Sequence, residues 1–326
     1  MEKLYPLKFV PQFFHRIWGG HRLYPLFGMK PSKQSIGEAW LVSNMEGHSS
    51  RVSQGPLKDW SLQELIDTYG SELLGSQVSE NENVTFPLLI KLIDAAENLS
   101  IQVHPNDELA LQRHHSLGKT EFWFIMGNEA GAYILNGFNE TLNPKALEKL
   151  VEEGSLMDKM NKVYSLPGKM FYIPSGRPHA IGGGNLIAEI QQPSDITYRL
   201  YDYDRIDRQT NQKRELHLKE ALDALDFSLY PCKPDYYSMN KNEINKTITN
   251  PYFKIDFYPI SGFMSRDYSS SDCFVILMCV GGKLNFIHEE SHFPLSIGEV
   301  LFLPANTTKI QVESSNGRFL EISIGC

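Results

Sequence analysis

The chain has no run of about 18 apolar residues anywhere in its 326 positions, so nothing in it reads as a membrane-spanning helix. Its first residues, MEKLYPLKFVPQFF, lack the unbroken apolar core of a secretory leader, and the expectation is a cytoplasmic protein with no membrane partner. Cysteine is scarce. Cys232, Cys273, Cys279 and Cys326 show neither CxxC spacing nor a dense framework, which reads as buried or free thiols and argues against disulfides or a thiolate metal site. An excess of positive charge is also missing: 31 basic and 39 acidic residues give a net charge of −8, which disfavours a nucleic-acid partner because phosphate backbones need a basic surface. A small phosphorylated ligand remains compatible with that balance, since a pocket needs only a few local cations.

What is present is an ordinary globular composition, 41% hydrophobic and 21% charged, long enough for one large or two ordinary domains. Helix signals are few. Trp60 to Leu74 has Ser61 placed to cap it, Asn143 to Lys159 has Pro144 in its first turn, and His217 to Leu225 is a shorter third candidate. Most of the rest is short apolar or alternating runs, such as FPLLIKLI, SIQVH, EFWFIM, KMFYIP, NLIAEIQ, FVILMCV and FLEISI, punctuated by Gly, Pro, Asn and Asp. That pattern predicts a mainly β protein, a barrel or sandwich carrying helical insertions.

A weak internal repeat refines this. GKMFYIPSGRPHAI at 168–181 aligns with GEVLFLPANTTKI at 298–310, each with Gly, five residues, then Pro, and EFWFIMGNEAGAYIL from Glu121 resembles DCFVILMCVGGKLNFI from Asp272. Two related barrels in tandem are expected, near 80–200 and 250–326; the alternative is chance, because strand-turn-strand units share Gly and Pro at their turns. Residues 1–235 would hold an N-terminal segment and a metal-binding barrel. Residues 236–326 would form a second, degenerate barrel without metal, since that copy lacks the histidines of the first.

Four potential ligands converge from three strand ends. Gln102 and His104 are two apart in LSIQVHPND, so they project from one face of a strand. Glu121 opens the strand after LGKT, and His179 follows the tight turn of YIPSGRP. Each alone reads as a packing, turn or solvated residue; together, a nitrogen and oxygen set without sulfur suits Zn²⁺ or another borderline divalent ion at roughly 2.0–2.2 Å.

The pattern QVHP, then KTE, then Gly-x5-Pro-x-Gly-x2-His resembles the cupin metal signature, with Gln102 where many cupins place the first histidine. With WGG at 18–20, GEAW at 37–40, FPLLIKLIDA at 86–95, SGRPHAIGGG at 175–184 and EIQQPSDITYRLYDYDR at 189–205, the chain resembles type I mannose-6-phosphate isomerase in its short bacterial form. The specific motifs cover roughly residues 10 to 230. The resemblance implies tandem cupin-type β-barrels, isomerisation of mannose 6-phosphate and fructose 6-phosphate, and one zinc held by Gln102, His104, Glu121 and His179. It also implies active-site roles for Arg199 and Glu189.

Moving a proton between C1 and C2 of a sugar phosphate through an enediolate needs a base within hydrogen-bond reach and cations for the developing charge. Glu189 is the favoured proton carrier, with a supporting contact to a ligand histidine as the alternative. Arg199 is assigned to phosphate or to the intermediate. Lys119, two before Glu121, either supports the enediolate or is a solvated turn lysine. Lys91 either serves substrate or is neutralised by Asp94, and Arg177 either contacts substrate or is an exposed loop residue. The later part of RLYDYDRIDRQTNQKR, holding Arg205, Arg208, Lys213 and Arg214, reads as a solvated loop. Two other functions fit a metal cupin: dioxygenase or decarboxylase chemistry on iron or manganese, and non-catalytic sugar-phosphate sensing. The expected partner is a small sugar phosphate, and the expected state a monomer or weak homodimer.

Overall fold

The computed structural model describes residues 2–79, 86–207, 210–230 and 238–324. It is mainly β, as the alternating runs predict. A six-stranded sheet runs in the order Gln12–Phe14, Glu38–Val42, Leu89–Ala95, Asn185–Gln191, Glu121–Asn128, Met170–Ile173. A five-stranded sheet runs Tyr198–Tyr201, Ile101–Val103, His179–Ile181, Tyr133–Phe138, Met160–Tyr164. A seven-stranded sheet is built from Asn245–Thr249, Lys254–Asp267, Lys309–Ser323, Val275–Gly281 and Val300–Leu303, with the Lys283–His288 and Ser291–Ser296 hairpin paired to Lys309–Ser323.

The chain divides into two compact units. One comprises 13–39 and 90–235, the other 1–12, 40–89 and 236–326. The segments 1–12 and 40–89 therefore group with the C-terminal sheet, while 13–39 groups with the metal-binding candidates.

Within the first unit the period of two sorts side chains between an interior and an outer layer. On one face Ile101, Val103, Leu135 and Ala180 join a core with Leu147 and Ala221 from the helices Pro144–Glu152 and Leu218–Ala224, and with Leu225, which caps the second. The helices exist to cover that face. On the other, Ile93, Trp123, Ile125, Ile134, Phe171, Ile181 and Ile187 pack together as an apolar floor. Gln102 and His179, directly paired across their strands, alternate with the outer-layer residues.

The repeat is visible in the pairing. Gly168 (φ 88°) precedes Met170–Ile173 and Gly298 (φ 87°) precedes Val300–Leu303, and a proline, Pro174 or Pro304, follows each strand. Ile173 faces Glu121 in one unit, and Leu303 faces Val275 in the other. The residue matched to Glu121 is thus Val275, three positions beyond the Asp272 suggested by sequence alone. The strand after the proline opens on His179 in one unit and on Lys309 in the other. Two ligand positions are therefore replaced in the second copy.

The helices are shorter than their sequence signals. Ser61 caps Leu62–Tyr69 through a capping box with Glu64, but Gly70 at φ 48° ends that helix before Ser71–Leu74. Gly154 at φ 67° likewise separates Pro144–Glu152 from the 3₁₀ turn Leu156–Lys159. Asp107–His114, capped by Asn106, is a helix that the strand-rich reading passed over. Of the cysteines, Cys279 is a buried free thiol, whereas Cys273 is disulfide-bonded, against the expectation of free thiols. Cys232, Cys326 and Arg208 lie outside the described residues.

Candidate metal centre

His104, Glu121 and His179 are brought together by three different strand ends, each about 1% exposed, with their ligand atoms all within 4.8 Å of one another. His104 Nε2 is 3.2 Å from Glu121 Oε1, and His179 Nε2 is 3.8 Å from Oε2. The Gln102 amide completes the group, its Nε2 3.3 Å from His179 Nε2.

The hydrogen bonds at the back of each imidazole decide what the front offers. His104 Nδ1 lies 2.9 Å from the Ile196 carbonyl and His179 Nδ1 2.8 Å from the Arg177 carbonyl. A carbonyl only accepts, so each Nδ1 carries the proton and each Nε2 keeps its lone pair toward the centre. Neither Glu121 carboxylate oxygen has a hydrogen bond of good geometry, although both are buried. Lone pairs from two imidazoles and a carboxylate thus converge on one point with few protons to satisfy them. Buried acceptors in this arrangement fit a divalent metal ion.

Electrostatics support the same occupant. Burial pushes the His179 imidazole down to about 3, and the neighbouring His104 adds to this, while His104 itself is pushed down by burial and by Lys119. Both rings are neutral, the form that ligates. Burial alone would raise the Glu121 carboxyl, but Lys119, His104 and His179 together outweigh it and hold it well below the usual carboxylate range.

Lys119 is buried although the strand begins only at Glu121; its Nζ is 2.8 Å from Glu121 Oε1 and 3.5 Å from His104 Nε2. It is no solvated turn lysine. Lys91 pairs with Glu189, Nζ to Oε1 2.8 Å, and not with Asp94, whose carboxylate is taken by Arg22 at 2.6 and 2.7 Å. The reason is the pleat and the strand order: Leu89–Ala95 lies beside Asn185–Gln191, so Lys91 meets a cross-strand neighbour. The same pairing removes the alternative reading of Glu189, because both ligand histidines rest on backbone carbonyls. Burial and the nearby Glu121 charge push the Glu189 carboxyl up, against the opposing pull of Lys91 and Lys119.

These groups line a cavity of about 400 Å³ that Gln102, Lys119, Glu121, Lys91, Glu189 and Arg199 all reach. Arg199 is placed there by register, directly opposite Gln102. Arg177 is not on the lining; it donates to the Tyr172 carbonyl at 2.9 Å, and its guanidinium stacks 3.6 Å above the Tyr230 ring. The sequence reading missed Arg16 and Glu38, an ion pair at 3.0 Å, and also Asp195 and Arg214. Trp18 and Glu38 stand in the WGG and GEAW motifs, which carried the resemblance without any role being drawn from them. Arg214 was hidden in the charged run read as a solvated loop, yet it lines the cavity.

Residues 6–150 match the family model described as phosphomannose isomerase type I, catalytic domain, and residues 235–323 the one described as mannose-6-phosphate isomerase, cupin domain. The chain is 36% identical over 314 residues to mannose-6-phosphate isomerase ManA of Bacillus subtilis, covering 94% of this chain and 96% of that one. The chain belongs to the type I phosphomannose isomerase family. A second family member, the mannose-6-phosphate isomerase of Streptococcus mutans, is 35% identical over 93% of both chains. The crystal structure of the Bacillus subtilis mannose 6-phosphate isomerase superposes with a TM-score of 0.85 at 31% identity, covering 98% of this chain and 99% of that one. The catalytic-domain match takes in Gln102, His104, Lys119 and Glu121, and the fold brings His179 to them from beyond its end. Among the described residues no helix is long and apolar enough to cross a membrane.

Proposed function

We propose that the protein is a zinc-dependent aldose–ketose isomerase of the cytoplasm, acting as a monomer or weak homodimer, that interconverts mannose 6-phosphate and fructose 6-phosphate. The observation that carries this reading is the buried His104, Glu121, His179 centre, with its unsatisfied acceptors, at a cavity lined by Lys119, Lys91, Arg199 and Glu189. Zinc is the preferred occupant because the donors are nitrogen and oxygen without sulfur, and a borderline ion suits imidazole with carboxylate. With its amide turned so that Oε1 faces the centre, Gln102 would supply the fourth ligand.

When bound, the ion supplies Lewis acidity for the oxygens at C1 and C2 of the sugar. Everything else falls to the chain. Lys119, held by Glu121, places a second positive charge beside those oxygens and lowers the cost of the enediolate. Glu189 takes the proton from one carbon and returns it to the other, while a second proton passes from the hydroxyl oxygen of one carbon to the carbonyl oxygen of its neighbour. Its carboxyl, raised by burial, is closer to the pKa that favours both halves of such a transfer at neutral pH, and Lys91 fixes its orientation and serves the substrate hydroxyls. Arg199 receives phosphate.

Purified protein loaded with zinc should interconvert the two sugar phosphates, lose activity on chelation and regain it with zinc. His104→Ala should lower both zinc content and turnover. Full activity in a metal-free preparation would overturn the zinc reading. Deuterium at C1 or C2 of product formed in heavy water would establish proton transfer, since a hydride shift leaves no solvent label.

A further inference from the structure

The cations of the cavity are not equivalent. Lys119, Lys91 and Arg16 each have a carboxylate within 3.0 Å, namely Glu121, Glu189 and Glu38. Arg199 has none within ion-pair distance among the described residues. Its Nη1 donates to the Glu215 carbonyl at 2.7 Å, and its buried Nε has no partner. Burial pushes its guanidinium below the usual arginine range, and the next contribution is the charge of Arg214, so two guanidinium groups share this part of the cavity.

Arg214 is held there by a built support. Its Nε and Nη2 donate to the two oxygens of Asp202 at 2.8 and 2.6 Å, a fork-to-fork contact that fixes the plane of the guanidinium. Asp202 is 5% exposed and also accepts from Arg205. The backbone is tied as well. His217 N donates to the Arg199 carbonyl at 2.8 Å, and Arg199 N donates to His217 Nδ1 at 3.1 Å, so the segment carrying Arg214 lies along the strand carrying Arg199. Asp202 is shared by two arginines, Arg205 also has Glu97 at 3.8 Å, and Arg199 has no carboxylate within ion-pair distance among the described residues, so its charge is unpaired beside Arg214 in a pocket also lined by Asp195. Guanidinium groups fixed in plane favour an anion with several equivalent oxygens, and a phosphate monoester carries nearly two negative charges at neutral pH.

We propose that Arg214, oriented by Asp202, is the second arm of the phosphate seat in which Arg199 is the first, and that this pair selects phosphorylated over free sugars. The proposal rests on the isomerase reading for its substrate, but the seat itself is tested without turnover. Arg214 is a binding residue and Asp202 a positioning residue.

The test compares the wild type with Arg214→Gln, Arg214→Lys, Asp202→Asn and, as a control, Lys213→Gln, whose lysine is exposed and, among the described residues, pairs only with Asp204. Titration with inorganic phosphate, followed by calorimetry, should show Arg214→Gln binding about tenfold to a hundredfold more weakly than wild type, the range for a lost charge-assisted contact. Arg214→Lys and Asp202→Asn should fall between, and Lys213→Gln should match wild type. For mannose 6-phosphate the same order should appear in KM, with kcat changed by less than about threefold, because the seat is made before and during the reaction alike. Zinc content should be unaltered in all four. Equal phosphate binding by wild type and Arg214→Gln overturns the proposal. If Arg214→Gln does not fold, unchanged binding and KM in Arg214→Lys and Asp202→Asn overturn it equally. A wild type that binds phosphate through Arg214 yet converts no sugar phosphate would leave the seat standing and refute the isomerase reading instead.

Discussion

Both units bury carboxylates inside their β-structure, and the surroundings of two of them, Glu121 and Glu321, differ in one respect that separates a site from a scaffold. Glu321 is 8% exposed and fully partnered: Tyr268 Oη donates at 2.6 Å, Tyr258 Oη at 3.3 Å, and Arg266 at 2.7 and 3.0 Å. Tyr258 stacks on Phe319, centroids 4.7 Å apart, in a core that continues through Phe286, Leu277 and Leu301. Glu121 has no hydrogen bond of good geometry at either oxygen and faces two imidazole lone pairs. Where the second unit satisfies its buried charge from within, the first leaves the same kind of charge open to an ion and a substrate.

The sharpest way to break this comparison is to neutralise each carboxylate in turn. Glu121→Gln should release the metal and lower kcat/KM by about 10²–10³-fold, since removing one preorganised group from a reacting centre typically costs that much. The metal-free protein should lose stability as well, because buried Lys119 is left without its charge partner. Glu321→Gln should spare function: activity per folded molecule and metal content stay as in wild type. Its stability should fall by about 3–5 kcal/mol, because Arg266 is left without its charge partner. Metal analysis, initial rates and denaturant titration on the two variants decide it; equal loss of metal in both would erase the distinction.

A second contrast lies in pH. In chelated protein the His179 ring titrates at about 3 in the fold, against about 6.5 unfolded, so the unfolded chain takes up protons first and stability falls as pH drops from about 6.5 toward 3. Glu121, held low, adds a loss in the lower part of that window, while Glu189, pushed up, offsets part of it. Tyr268 runs the other way. Burial and the Glu321 charge push its phenol well above 10, so the unfolded chain loses its proton first and stability falls as pH rises beyond about 10. Asp256, raised by burial, favours the folded form in acid. Amide exchange should therefore speed up first at Ile101–Val103 and His179–Ile181 in acid and first at Lys254–Asp267 in alkali. The slope expected per fully shifted group is about 1.4 kcal/mol per pH unit. Simultaneous loss of protection in both regions at either extreme would refute the assignment.

The parts of this layout legible in the sequence are those set by short-range rules. Gln102 and His104 announce their shared face by spacing, Ser61 and Asn143 announce helix starts, and Gly168 and Gly298 mark equivalent turns. Partners set by strand order were not legible. Lys91 has Asp94 nearby in sequence but Glu189 across the sheet, and Arg214 looks solvated until the pairing of His217 with Arg199 draws it to the cavity. The offset between Glu121 and Val275 was misread by three residues for the same reason, since only the ladder fixes which residue faces Ile173 or Leu303.

The smallest expected effects come from the turn that the two units share. Gly168 and Gly298 sit at φ 88° and 87°, in the region where a Cβ meets the following carbonyl, so alanine at either costs about 1–2 kcal/mol. If the units are copies of one design, Gly168→Ala and Gly298→Ala should lose equal stability to within a few tenths of a kcal/mol by denaturant titration. Their functional effects should still differ. Gly168 leads into Met170–Ile173, which aligns Glu121 through the Ile173 pairing, so zinc affinity should weaken measurably in Gly168→Ala; Gly298 leads into a strand whose partner at that register is Val275, and zinc affinity there should be unchanged. Unequal stability losses would mean that the matching turns arose without a shared plan, and a zinc defect in Gly298→Ala would mean that the second unit shapes the metal centre after all.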